Sequence, residues 1–278
     1  MSASADLTAR VKSRSGLGEV AAALSSEPRT IAYFGTSVTG NTHGYRETLH
    51  DSLQRRFGQE HRSVTASVGG VGPVSALFFL DQLALRHEPI LCLIEYSGGD
   101  YWSNVPVEDI SGAVDEIVTR ARGAGVTPCF LHVYRSNWNR RYDEVLDAWE
   151  QVADRREVPT IDLASTFRDA IGAGALDPRE IFSDEAHPNR RGSELMASLV
   201  GQALDDLFGE SGDSTASDPG RLPGATDFSA AQVHPATLEQ AGGLGTEQLF
   251  RLQLSYVQVG PEVPITYRPP GSWLASSC

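Results

Sequence analysis

Ser37 and His187 stand 150 positions apart in a chain of 278 residues. A serine hydroxyl attacks poorly until a base takes its proton, and an imidazole does this best when a carboxylate orients it. Ser37 lies in Gly35-Thr36-Ser37-Val38, which ends the apolar run Thr30-Ile31-Ala32-Tyr33-Phe34. His187 lies in Asp184-Glu185-Ala186-His187-Pro188, just before the last strongly amphipathic segment. Asp184 and His187 are close enough for one turn to bring the carboxylate to the ring nitrogen that faces away from serine. The three side chains predict nucleophilic acyl transfer, with Ser37 as nucleophile, His187 as general base and Asp184 as orienting acid. The plainer alternatives are a serine capping a turn, a surface histidine before proline and an aspartate capping a helix.

Acyl transfer also needs hydrogen-bond donors for the alkoxide of the tetrahedral intermediate. The Ser37 N–H is one natural donor. A second is expected from Gly69-Gly70-Val71-Gly72-Pro73. In its simplest reading this stretch only makes a tight turn.

Together these motifs resemble the SGNH, or GDSL-type, esterase and lipase family. The family's first block reads Gly-Asp-Ser-(Leu) and its last Asp-x-x-His. Here the first reads Gly-Thr-Ser-Val and the last is intact. The resemblance covers roughly residues 28–208 and implies a flavodoxin-like three-layer sandwich. Gly70 aligns best with the second-block glycine that completes the oxyanion hole, and Gly69 is the neighbouring alternative. The third block departs from the family. Where Gly-x-Asn-Asp is usual, this chain has Ser97-Gly98-Gly99-Asp100, so Gly99 replaces the asparagine whose side chain is the family's third donor. Loss of one such donor typically costs about 2.7–4 kcal/mol of transition-state stabilisation. Asn104 is the nearest side chain that could substitute. Thr36 replaces the family's acid in the first block, which touches the geometry of the turn rather than the proton transfers.

Two loops carry the expected substrate contacts: Tyr101-Trp102-Ser103-Asn104, and Arg135-Ser136-Asn137-Trp138-Asn139-Arg140-Arg141. Tyr101, Trp102 and Trp138 can stack on sugar faces, Asn104 can bond hydroxyls, and Arg135 can meet an anionic group. The plainer alternative for the tryptophans is ordinary packing. Arg140, Arg141, Arg190 and Arg191 would extend Arg135 into a basic rim, or form a solvated face.

These residues must be positioned by alternating strands and helices. Strands are expected at 30–34, 63–68, 90–96, 127–134 and 159–163. The run 90–96 is nearly all apolar, as in a strand covered on both faces. Helices are expected at 5–25, outside the sheet, and at 45–57, 74–86, 107–122, 141–156 and 190–208. This order argues for an α/β fold, a parallel sheet of about five strands with helices on both sides. Ser37, Gly70 and the segments after Tyr96 and Tyr134 then share the carboxyl edge, where such folds bind ligands. Residues 1–208 are expected to form the hydrolase domain and 209–224 a Ser/Asp/Gly/Pro-rich linker. Residues 225–278 read as a small β-rich extension with strands near 249–259 and 262–268.

The net charge is −13. A field of that sign repels phosphate backbones and anionic membrane surfaces, so neither nucleic acid nor membrane is an expected partner. Cys92 and Cys129 read as buried small hydrophobes, and no disulfide framework or metal-ligand spacing is present in the sequence. There is no Walker motif, and Gly69-Gly70-Val71-Gly72 lacks the last glycine of a dinucleotide fingerprint. No cofactor is expected. The polar start Met1-Ser2-Ala3-Ser4-Ala5-Asp6 carries no apolar leader, which points to the cytoplasm. The expected function is a serine esterase that takes a short acyl group, such as acetyl, from a carbohydrate or other hydroxylated metabolite through an acyl-enzyme. An acyltransferase with the same triad, and a carbohydrate-binding protein without catalysis, are the alternatives.

Overall fold

The structure is a computed structural model, and it describes residues 7–101, 105–210, 220, 222–230, 244–249 and 252–257. The chain divides into two compact units, 1–226 and 227–278. The first is built on a six-stranded sheet. Its strands are β1 (Arg10–Lys12), β2 (Thr30–Gly35), β3 (Arg62–Ser67), β4 (Leu91–Glu95), β5 (Thr127–His132) and β6 (Thr160–Asp162), in the order β1-β6-β5-β4-β2-β3. Five strands run parallel and β1 pairs antiparallel with β6. Strand order reverses between β2 and β4, so the crevice beyond their carboxyl ends is the switch point where open α/β sheets bind ligands.

The central strands are buried on both faces. Ile31 and Tyr33, Leu91 and Leu93, and Cys129 and Leu131 face one core with α1 (Gly18–Ser26), α3 (Tyr45–Phe57) and α10 (Arg190–Gly209). Their neighbours Ala32, Phe34, Cys92, Ile94 and Phe130 are equally buried. Phe130 meets Trp149 of α7 (Arg140–Arg156) edge-on at 4.8 Å, and α7 packs beside α6 (Val107–Gly123). Between α6 and α7 the buried Arg156 donates to both oxygens of buried Asp115, at 2.7 and 3.0 Å.

Several expected elements differ. Residues 5–25 are not one helix. Val11 turns inward between exposed Arg10 and Lys12 in β1, and the chain then breaks at Gly16. A Cβ there would overlap the Glu210 carbonyl. The expected helix over 74–86 is three short turns: α4 (Pro73–Ala76), α5 (Leu80–Leu83) and a 3₁₀ turn at Leu85–His87. Phe78 and Phe79 donate to Ser75 and Ala76 three residues back, which interrupts the α-helical ladder. After β6 come two helices that the strand–helix pattern missed, α8 (Leu163–Gly172) and α9 (Pro178–Ile181). Each opens on an aspartate cap: Asp162 accepts from the Ser165 N–H and Asp177 from the Arg179 N–H.

The second unit carries an antiparallel hairpin, β7 (Leu244–Leu249) with β8 (Leu252–Val257). The strand expected at 249–259 thus covers the end of β7 and all of β8, and the one at 262–268 lies outside the described residues. Among the described residues no helix is long and apolar enough to cross a membrane.

Candidate active site

Ser37 is the first residue of α2 (Ser37–Gly40), a single turn directly after β2. Thr36 caps it, its Oγ1 accepting from the Val38 N–H at 3.3 Å. As the first residue of a helix, Ser37 has a backbone N–H with no partner inside the helix. Its Oγ lies 2.8 Å from His187 Nε2.

His187 comes from a pinned loop. Phe182 and Pro188 form an antiparallel bridge, the Ser183 N–H donates to the His187 carbonyl at 2.8 Å, and the Asn189 N–H donates to Ile181 at 2.9 Å. Asn189 then caps α10 by accepting from the Gly192 N–H. Only a glycine fits at 192, since a Cβ would overlap the Ile181 carbonyl. Inside the loop Asp184 Oδ1 accepts from the Ala186 and His187 N–H groups, both at 2.8 Å. His187 Nδ1 stands 2.9 Å from Asp184 Oδ2. The carboxylate thus fixes the loop and the ring together. Partial burial alone would raise the Asp184 carboxyl, but the two N–H groups and the imidazole outweigh it and hold it down, to about 2.

The strand ends around Ser37 are tied to one another. The Val68 N–H is shared between the Gly35 carbonyl at 3.1 Å and Tyr96 OH at 3.2 Å. Gly70 follows with φ +73°, a left-handed turn that favours glycine. Gly99 lies against this turn. A Cβ on Gly99 would overlap the Val71 carbonyl and lie 2.6 Å from Gly72 Cα, and the Gly99 N–H is spent on the Tyr96 carbonyl at 3.0 Å. The missing asparagine is therefore a packing requirement: backbone occupies the space its side chain would need.

The expected substrate-contact residues divide. Arg135 lies over the Tyr101 ring, 4.2 Å from its centroid, and donates to Tyr101 OH and the Gly98 carbonyl. Asn137 also donates to Tyr101 OH and, at 2.6 Å, to Glu185, while the Ser136 N–H donates to the Glu185 carbonyl. Tyr101 and Arg135 thus stitch the loops after β4 and β5 to the loop that holds His187. Trp138 is half-buried against the core, its ring 4.8 Å from that of Tyr142 and its Nε1 donating to Asp143. Trp102 and Asn104 lie outside the described residues. No bare basic rim forms from the other arginines. Arg140 and Arg141 pair with Glu144, Arg190 with Glu194 and Arg191 with Glu180.

A cavity of about 700 Å³ is lined by Asn41, Thr42, Asp51, Ser183, Pro188 and Asn189 among others, and neither Ser37 nor His187 is in its lining. Its side chains are mostly hydroxyls, amides and carboxylates.

Two buried groups near the site have no counterpart in the sequence reading. Glu95, the one acid in the apolar run of β4, lies under the Ser37 turn. Burial pushes its carboxyl up, to about 7, against hydrogen bonds from Thr39 and Thr36 that pull it down. His132 ends β5 and joins buried Ser97 at 3.0 Å through Nδ1 to Glu150 at 3.0 Å through Nε2. Glu150 is held in turn by Lys12 and Arg14. Burial works to raise the Glu150 carboxyl, but the bonds from His132, Lys12 and Arg14 outweigh it and leave it below the usual carboxylate range. This second serine–histidine–acid run is closed to substrate, because Ser97 is fully buried. It anchors the loop after β4 to β1 and α7.

A family model described as GDSL-like Lipase/Acylhydrolase matches residues 31–195. No curated protein matches the chain. Among solved structures, a two-domain esterase active on acetylated mannans is 20% identical with a TM-score of 0.65, over 86% of this chain and 62% of its own. This chain therefore spans less than two thirds of that protein. A psychrotrophic esterase from a Pseudoalteromonas species, inhibited by monoethylphosphonate, is 19% identical with a TM-score of 0.55, over 66% of this chain and 100% of its own. An acetylxylan esterase from Geobacillus stearothermophilus is 15% identical with a TM-score of 0.56, over 64% of this chain and 94% of its own. At these identities the likeness is one of fold.

Proposed function

Because the chain belongs to the GDSL-like lipase/acylhydrolase family, we propose that it is a serine esterase that removes a short acyl group, acetyl among them, from a polar hydroxylated substrate such as a carbohydrate. The observation that carries this reading is the continuous hydrogen-bond run from Ser37 Oγ through both ring nitrogens of His187 to Asp184. Ser37 Oγ attacks the ester carbonyl while His187 Nε2 takes its proton. Asp184 keeps the other nitrogen protonated and facing it, and stabilises the imidazolium that forms. The Ser37 and Gly70 N–H groups receive the developing oxyanion. His187 then returns the proton to the leaving alcohol, and water resolves the acyl-enzyme by the same steps in reverse.

The sequence has no long apolar lid-like run, which favours a short acyl group on a hydroxylated leaving group over a long acyl chain. The mannan and xylan esterases of like fold agree with that choice. A panel of acetylated mono- and oligosaccharides, and aryl esters of two to twelve carbons, tests it by mass spectrometry of the products. Acetate release from the sugars, lost in Ser37→Ala, is expected. Preference for the longest acyl chains would contradict the substrate class. Dependence on an added acceptor alcohol would identify a transferase instead.

A further inference from the structure

Beneath the Ser37 turn lies a carboxylate that no step of ester hydrolysis uses. Glu95 closes β4, directly opposite Gly35 in the parallel register, and is fully buried. A carboxylate taken out of water is costly unless its oxygens are bonded. Here every such bond comes from a neighbour of Ser37. The Thr36 N–H donates to Oε2 at 3.0 Å and to the Glu95 carbonyl at 3.1 Å. Thr36 Oγ1 lies 2.9 and 3.1 Å from the two carboxylate oxygens. Thr39 Oγ1 donates to Oε2 at 2.9 Å, and Tyr45 OH completes the chain at 3.0 Å from Thr39. Gly35 leaves the room this needs, since a Cβ there would overlap Thr39 Oγ1 and lie 2.8 Å from Glu95 Oε2.

We propose that Glu95 is the positioning residue for Ser37: by binding the residue before it and the residue two after it, the carboxylate fixes the turn that aims the Ser37 hydroxyl and N–H. This rests on Ser37 being the nucleophile. It also accounts for the threonine at 36. An acid there would set a second carboxylate against Glu95, and like charges so close cannot both ionise without large cost.

The test measures kcat and KM on p-nitrophenyl acetate, the rate of inactivation by a fluorophosphonate, and thermal unfolding, on the full chain. Glu95→Ala is expected to lower kcat and the inactivation rate roughly 10- to 100-fold, the scale of a misplaced reacting group, with KM essentially unchanged. Glu95→Gln keeps an acceptor oxygen for the Thr36 N–H and recovers much of that loss. Thr36→Asp is impaired alone and relieved when combined with Glu95→Gln, a coupling that general loss of stability would not produce. That pair carries the test if Glu95→Ala does not fold. A folded Glu95→Ala with unchanged kcat and inactivation rate, or strictly additive effects in the Thr36→Asp pair, would overturn the proposal. Ser37→Ala separates the two claims. Persistent labelling in that variant overturns the nucleophile itself, whereas its loss beside unaffected Glu95 variants overturns the positioning role alone.

Discussion

Asp184 touches the backbone of its own loop and the imidazole at once, so a neutral isostere should disturb orientation more than packing. Asp184→Asn is expected to lower kcat on the order of 10⁴-fold, the scale seen when a triad carboxylate is neutralised. Steady-state kinetics with a chromogenic acetate ester checks it. Glu95 bears on stability rather than on proton transfer. Its folded pKa, about 7, lies above the roughly 4.3 of an unfolded glutamate, so the folded state binds a proton more tightly. That contribution is complete below the unfolded value and is lost as pH rises through about 7. Glu95→Gln cannot titrate, so its thermal midpoint should decline less than the wild-type midpoint between about pH 5 and pH 8. Equal declines would place the titration elsewhere. At this scale the sequence exposed what repeats as a motif: Ser37, Asp184 and His187, now found with His187 hydrogen-bonded to each of the other two. Glu95 was visible only as an acid ending an apolar strand, and His132 only as a histidine doing the same. Neither position reveals its partners, because Thr39 and Glu150 are brought in by tertiary packing.

At the scale of elements, the strand–helix alternation and the doubly buried strands were readable because burial on both faces leaves an apolar run. β1 was not, since three residues with one inward valine carry too little periodicity to tell strand from helix. α8 carried a readable signal in its Asp162 cap and its inward stripe Leu163, Ala164, Phe167 and Ala170. The loop after β4 shows what sequence comparison alone conceals. Gly99 stands where an oxyanion asparagine is usual, and the Val71–Gly72 backbone fills the space beside it. Gly99→Asn should therefore fail to raise activity and should destabilise the fold by about 1–3 kcal/mol, as overpacking does. Urea unfolding together with kcat measures both effects. A gain in kcat with unchanged stability would mean that the two loops can separate.

The whole chain carries a net charge of −13, and the arginines near the site are engaged by carboxylates or by Tyr101. The field at the crevice should thus disfavour anionic esters. On raising ionic strength, kcat/KM for a phosphorylated acetyl sugar is expected to rise, while that for the neutral acetyl sugar stays flat. Salt dependence of the opposite sign would indicate a locally positive mouth. The central claim is that Ser37 carries the acyl group between the two half-reactions. Its most direct measurement is rapid acid quench during turnover of p-nitrophenyl acetate, followed by peptide mass spectrometry. One acetyl group on the peptide containing Ser37, absent in Ser37→Ala and accumulating poorly in His187→Ala, is the predicted result. Turnover with no acetylated Ser37 peptide at any quench time, or undiminished turnover in Ser37→Ala, would contradict it.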